Sequence, residues 1–299
     1  MSPPLTVHPY TAAEDALAVN SYLVSTAEGA VLVDTSLLVS DARALAARAA
    51  ALRVPLRAVF VTHAHPDHFN GLPFVVGEDV PVYATADVTR TIERIAEPKR
   101  AQWQPTYGAE WPDVHRVPDR PVADGERVTV AGIEVEVRAV GAAESHADSF
   151  LLVRPQGQPD AAPLAFIGDL AFHGTHPYLA DGHTGAWLTA LDRLDTELAG
   201  AAVLYPGHGP AADRAVLAEQ RRYLLMYREV VRGLTGGSGV LTDAQRARLA
   251  DTMTAFLPDA PLSWMIGLGA DAVAAELATG PATGPATGPV GTRTPTGAA

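Results

Sequence analysis

Apolar, β-branched runs recur along the chain, separated by stretches whose apolar residues fall three or four apart. Residues 20–24 and 30–34 flank Glu28-Gly29 and predict a hairpin. Residues 39–51 have helical periodicity, with Ser40-Asp41 placed to cap it. Residues 58–62 read as a buried strand, 81–84 as a short strand and 85–96 as a helix. Residues 127–130 and 133–137 alternate about Ala131-Gly132 as a second, half-exposed hairpin. Three more apolar strands are expected at 150–153, 164–167 and 202–205. Helices are expected at 185–194, 213–233, 242–256 and 261–277. Residues 98–114 break the pattern, with Pro98, Pro105 and Pro112 between Trp103, Tyr107 and Trp111. That segment reads either as a lid over a substrate or as a loop pinned to the core by its aromatics. Copies of Ala-Thr-Gly-Pro fill the end of the chain, so 278–299 is expected to be a disordered tail.

The strand at 58–62 runs directly into His63-Ala64-His65-Pro66-Asp67-His68. Three imidazoles and a carboxylate thus stand at a strand's C-terminal end, where open α/β sheets place their sites. Neutral imidazole and carboxylate are ligands for zinc and iron. On an extended segment His63 and His65 point the same way. Asp67 and His68 follow where the chain turns, so one short segment can feed two neighbouring metals. Each metal needs three or more protein ligands, so further ligands must come from downstream.

Composition narrows the choices. The chain has 299 residues, 47% of them hydrophobic, which is ample for a core. The formal charge of −12 disfavours nucleic acid, which needs clustered Lys and Arg. Lys99 is the single lysine. There is no cysteine, which excludes disulfides, thiolate nucleophiles and Cys-type zinc sites. The first residues lack a basic stretch followed by an apolar one, and no run is long enough to span a membrane. The expectation is a cytoplasmic protein with a small-molecule substrate.

Downstream, His146 lies in a loop before a strand, Asp169 follows the strand ending at Ile167-Gly168, and His208 sits in Pro206-Gly207-His208-Gly209 after another. Asp34 ends an early strand, either to buttress a metal-binding histidine or to cap the next helix. The order of these motifs resembles the metallo-β-lactamase-fold superfamily over roughly residues 15–210. The segment 63–68 matches its HxHxDH motif, and Asp34, His146, Asp169 and His208 follow in register with its later motifs. The resemblance implies an α/β fold, a four-layer αβ/βα sandwich. It implies a catalytic domain over 1–210 with a helical extension over 211–277 packed on it.

By the same resemblance His63, His65 and His146 would hold one metal, Asp67, His68 and His208 a second, and Asp169 would bridge. One departure stands out: the usual Gly-His-Thr is replaced by Glu144-Ser145-His146-Ala147-Asp148, so Glu144 or Asp148 competes with His146. Zinc is the first choice of metal, with iron and manganese as alternatives. Two such ions about 3.5–4 Å apart lower the pKa of a shared water to near neutrality. Asp67 could orient the resulting hydroxide as well as bind metal. An aspartate at the bridging position resembles the glyoxalase II, lactonase and thioesterase branches. The expected function is therefore hydrolysis of an ester, thioester or lactone. The alternatives are a β-lactam hydrolase, an iron-dependent oxygenase of the same fold, and a non-catalytic ligand-binding protein. His173, His176 and Tyr178, just after Asp169, are candidate substrate contacts, and the C-terminal helices a candidate homodimer face.

Overall fold

The computed structural model describes residues 4–279. Among the described residues eleven strands form two sheets. In the first sheet β1 (Thr6–Thr11), β2 (Asn20–Ser25), β3 (Ala30–Val33), β4 (Leu56–Phe60), β5 (Val82–Thr85) and β6 (Arg120–Val122) lie side by side in chain order. The pairs β1/β2 and β2/β3 are antiparallel, and β3 to β6 run parallel. The second sheet contains β7 (Arg127–Val130), β8 (Ile133–Gly141), β9 (Asp148–Pro155), β10 (Leu164–Gly168) and β11 (Val203–Pro206), in the spatial order β11-β10-β9-β8-β7.

Side-chain alternation explains why both sheets are apolar on both faces. In β3, Val31 and Val33 point between the sheets, where they share a core with Phe60, Val135, Leu151, Val153 and Phe166. Leu32, between them in sequence, points outward into a core with Leu45 of α1 (Val39–Ala51). In β9, Leu151 and Val153 face inward, while Phe150 and Leu152 face the opposite helical layer. The layers therefore run helix, sheet, sheet, helix. Two short helices follow β4: α2 (Pro66–Phe69) and α3 (Leu72–Val75). The long α4 (Ala86–Tyr107) completes the cover of the first sheet through Val88 and Ile92.

The outer face of the second sheet is covered by α5 (Thr184–Glu197) and α6 (Ala215–Thr235). Trp187, Leu191, Leu194, Leu224 and Tyr227 pack there with Phe150, Ala165 and Ile167. The chain then continues through α7 (Asp243–Phe256), α8 (Met265–Leu268) and α9 (Ala270–Thr279). Leu249, Met253, Ile266 and Val273 from these helices join the same apolar cluster. Among the described residues no helix is long and apolar enough to cross a membrane.

Three expectations are corrected. The segment 98–107 is not a loop, because α4 runs through Pro98 and Pro105 to Tyr107. An internal proline costs a helix about 3 kcal/mol. Continuing the helix seats Trp103 and Tyr107 against the first sheet's outer core, which offsets that cost. The helix expected over 261–277 is two helices, with Gly269 between them. A Cβ at Gly269 would meet that of Leu179 at 2.7 Å, so the backbones pass too closely for a side chain. The pattern also missed β1 and β6: β1 carries Pro9, tolerated on an edge strand, and β6 has only three residues. The expected tail lies outside the described residues from 280 on, whereas Ala278 and Thr279 belong to α9.

Candidate metal centre

The ends of β4, β10 and β11 meet at one edge of the sandwich, together with the β8–β9 turn. Backbone and side-chain bonds fasten that edge. Ser149 N and Oγ both donate to Thr62 O, at 3.0 and 2.6 Å. Asn20 N donates to Gly207 O at 2.7 Å, and Tyr22 Oη donates to Pro206 O at 2.6 Å. The sequence departing from each strand then supplies one or more polar side chains. His63 and His65 follow β4, and Asp67 and His68 occupy α2, which Pro66 starts. Asp169 follows β10 and His208 follows β11.

These residues converge. His68 Nε2 lies 3.3 Å from Asp169 Oδ1 and 3.5 Å from Asp67 Oδ2. His208 Nε2 is 3.2 Å from both Asp67 Oδ2 and Asp169 Oδ2. His63 Nε2 is 3.9 Å from Asp169 Oδ2. The third partner near His63 and His65 is Glu144: its Oε2 lies 2.9 Å from His65 Nδ1 and 3.6 Å from His63 Nε2. Three groups have ligand atoms within 4.8 Å of one another: His63, His65 and Glu144; His63, His68 and Asp169; Asp67, His68 and His208.

His146, expected as a ligand, lies elsewhere. Its side chain is 40% exposed, its Nδ1 is 2.7 Å from His183 Nε2, and its Nε2 is 3.7 Å from Asp181 Oδ2. The cause is the turn itself. Asp148 Oδ2 accepts from the backbone N–H groups of Ala143 and Ser145 at 3.0 and 2.9 Å, and its Oδ1 from Ser145 Oγ at 3.0 Å. That clasp turns Glu144 inward and leaves His146 facing out. Asp148 is spent on the turn.

Each histidine of the cluster has its second nitrogen held by an oxygen. His68 Nδ1 is 2.8 Å from Asp34 Oδ2, so Asp34 is a buttress and not a helix cap. His208 Nδ1 is 2.9 Å from Leu17 O. His63 Nδ1 is 3.0 Å from Thr62 Oγ1, whose own proton goes to Asp34 Oδ2 at 2.8 Å. His65 Nε2 is 3.3 Å from Asp181 Oδ2. Such partners fix the ring and, in the neutral imidazole, leave the lone pair on the nitrogen facing the cluster. Asp181 was not singled out in the sequence, because it lies in a loop with no periodicity or motif around it.

The polar atoms facing one another are starved of partners. His63 Nε2, His68 Nε2, both oxygens of Glu144 and Asp169 Oδ1 are buried without a hydrogen bond. Burying an unpaired polar atom costs about 1–3 kcal/mol, and more if it is charged. Burial alone would raise Asp169, yet the adjacent His208 and His68 outweigh it and hold the carboxyl well below the usual range. Burial pushes Glu144 up to about 8, with His65 pulling the other way. Burial would lower His208, but Asp169 and Asp67 raise it to about 10. A divalent cation would displace the protons that Glu144 and His208 hold in its absence, and the three buried carboxyl groups and four imidazoles form a donor set that fits such cations.

Gly207 shapes the same edge. A Cβ there would fall 1.9 Å from Asp169 Oδ1 and 2.7 Å from His68 Cε1. Gly207→Ala must displace both side chains, and is expected to weaken metal binding by about 10- to 100-fold. Competition against a chromophoric chelator measures this, and unchanged affinity would contradict the packing described.

One cleft is lined by Asp67, Asp169 and His208 together with Trp103, Tyr107, Trp111 and Trp264. Of the three candidate substrate contacts only Tyr178 lines it, its ring 4.9 Å from that of His65. His173 turns away to Pro210 O at 2.9 Å. His176 is fully buried against Tyr223 Oη at 2.8 Å, in the outer helical core. Neither lines the cleft.

Comparison with known proteins places the chain in a family. The profile of the metallo-beta-lactamase superfamily matches residues 15–208. A hydroxyacylglutathione hydrolase of Synechococcus sp. (strain CC9605) is 31% identical over 146 residues, 48% of this chain and 48% of that one. A second, from Synechococcus sp. (strain CC9902), is 30% identical over 141 residues, 46% of this chain and 47% of that one. The chain thus spans about half the length of the curated relatives it matches. Among solved structures, a metallo-beta-lactamase from Pontibacter korlensis superposes with a TM-score of 0.57 at 23% identity, over 75% of this chain and 96% of that one. That likeness concerns the fold. With the family profile covering well over half of its residues, this chain belongs to the metallo-beta-lactamase superfamily.

Proposed function

We propose that the chain is a metal-dependent hydrolase that cleaves an ester, thioester or lactone. His63, His65 and Glu144 would hold one divalent ion, and Asp67, His68 and His208 a second, with Asp169 between them. The observation that carries this reading is the convergence of buried, unpartnered donor atoms on one point of the sandwich edge. Zinc suits the imidazole-rich set, and the extra carboxylate of Glu144 also admits manganese or iron. The ions, when bound, would polarise the substrate carbonyl and bring a water's pKa to near neutrality.

The chain's own part is positional. Asp34, Thr62, Asp181 and Leu17 O fix the four rings. Phe172 stacks on His208 at 5.0 Å between centroids and shields it. The relatives named as hydroxyacylglutathione hydrolases support a thioester among the three bond types.

Protein purified without added metal should contain divalent ions by elemental analysis. It should turn over members of a panel of chromogenic esters, thioesters and lactones, and chelation should remove at least about 99% of that activity. Turnover that survives complete metal removal would refute the reading.

A further inference from the structure

The cleft above the candidate centre has an unusual division of labour. One side is the charged cluster, and the other is almost wholly apolar. Trp103 and Tyr107 come from α4, Trp111 from the turn after it, and Trp264 from the start of α8. Their rings form a connected series. Trp103 lies 6.3 Å from Trp264 and 6.5 Å from Tyr107, and Tyr107 stacks on Trp111 at 6.0 Å. Leu17, Met265 and Leu268 extend this wall. Trp264 is 48% exposed and Leu268 38% exposed, so the apolar surface continues to the cleft mouth.

One cation reaches this lining: Lys99, the chain's single lysine. Its Nζ donates to Tyr178 Oη at 3.1 Å and sits 5.2 Å from that ring's centroid. Tyr178 in turn donates to Asp181 Oδ1 at 3.4 Å, and its ring abuts His65. Among the described residues Lys99 makes no ion pair. A half-buried ammonium with protons to spare therefore stands against Tyr178, whose ring abuts His65, in the lining of the same aromatic cleft.

Resting on the hydrolase reading, we propose that the substrate is an ester, thioester or lactone of a hydrophobic acid, either a medium-length alkyl chain or an aryl group. The acyl tail lies on Trp103, Tyr107 and Trp264, and Lys99 Nζ meets an acyl oxygen. In the reaction, water adds to the acyl carbon and the bond to the ester oxygen, thioester sulfur or ring oxygen breaks. The leaving oxygen or sulfur takes one proton, and the acid departs as a carboxylate plus a proton. Lys99 then faces that carboxylate. A polar acyl group, or one whose recognition needs several cations, finds one ammonium and few other partners here.

The probe is the product series from acetate to decanoate, titrated into the metal-loaded protein and read by intrinsic tryptophan fluorescence. Kd should fall roughly fourfold per added methylene until the wall is covered. Trp264→Ala and Trp103→Ala should flatten that slope. Lys99→Met should weaken all lengths by a similar factor, roughly tenfold. Equal Kd across the series, or a slope unchanged in both tryptophan variants, would overturn the proposal. Because the titration needs no turnover, a steep slope with no hydrolysis of any panel substrate would sink the hydrolase reading while leaving the acyl site standing. Hydrolysis confined to short polar acyl groups, with a flat slope, would do the reverse.

Discussion

Asp169→Ala is expected to abolish hydrolysis, lowering kcat/KM by about 10⁴-fold or more, while the far-UV circular dichroism stays native. Asp169 stands between the two ligand groups, with Oδ1 3.3 Å from His68 Nε2, and Oδ2 3.2 Å from His208 Nε2 and 3.9 Å from His63 Nε2. Its truncation would take a donor from both proposed metal positions at once and remove a negative charge that faces three imidazoles. The fold should survive because Asp169 lies beyond the end of β10 and contributes nothing to the cores on either side of the sheet. Steady-state kinetics beside elemental analysis checks it. Retained activity with full metal content would show that the sandwich edge is not where the chemistry occurs.

The second large effect separates two residues two positions apart. Glu144→Ala should cost about one equivalent of bound metal and lower kcat/KM by roughly 10³-fold or more. His146→Ala should keep both equivalents and change kcat/KM by less than about tenfold. The difference follows from burial and reach: Glu144 is 2% exposed and touches His65 at 2.9 Å. His146 is half in solvent beside His183. The opposite pattern, with His146 indispensable and Glu144 dispensable, would mean that the β8–β9 turn is folded differently in the loaded protein.

The same pair marks the limit of what the sequence discloses. His63, His65, Asp67 and His68 were legible because they are contiguous and follow an unmistakable buried strand. Asp169 and His208 each end an apolar run, but what singled them out was the order of motifs shared with the metallo-beta-lactamase superfamily. On a turn, by contrast, neither a 3.6 nor a 2.0 period says which side chain points in. That choice rests on the three hydrogen bonds of Asp148, which depend on the turn's register. Most strands and helices were legible because strands buried on both faces are apolar throughout and most helices carry a clear stripe, whereas their layered arrangement came from the resemblance to the metallo-beta-lactamase fold. The continuation of α4 through Pro98 and Pro105 was not, because local propensity argues for a break and only the packing of Trp103 and Tyr107 argues against it. Lys99 and Asp181 carry no motif; their roles come from chain segments that are far apart in sequence meeting at His65 and Tyr178.

Anomalous scattering at the absorption edge of the bound metal, in crystals of the loaded protein, tests the central claim most directly. Two peaks are expected, one among His63 Nε2, His65 Nδ1 and Glu144, the other among Asp67, His68 Nε2 and His208 Nε2, with Asp169 reaching both. A peak bound by His146, or none at this edge of the sandwich, would contradict it.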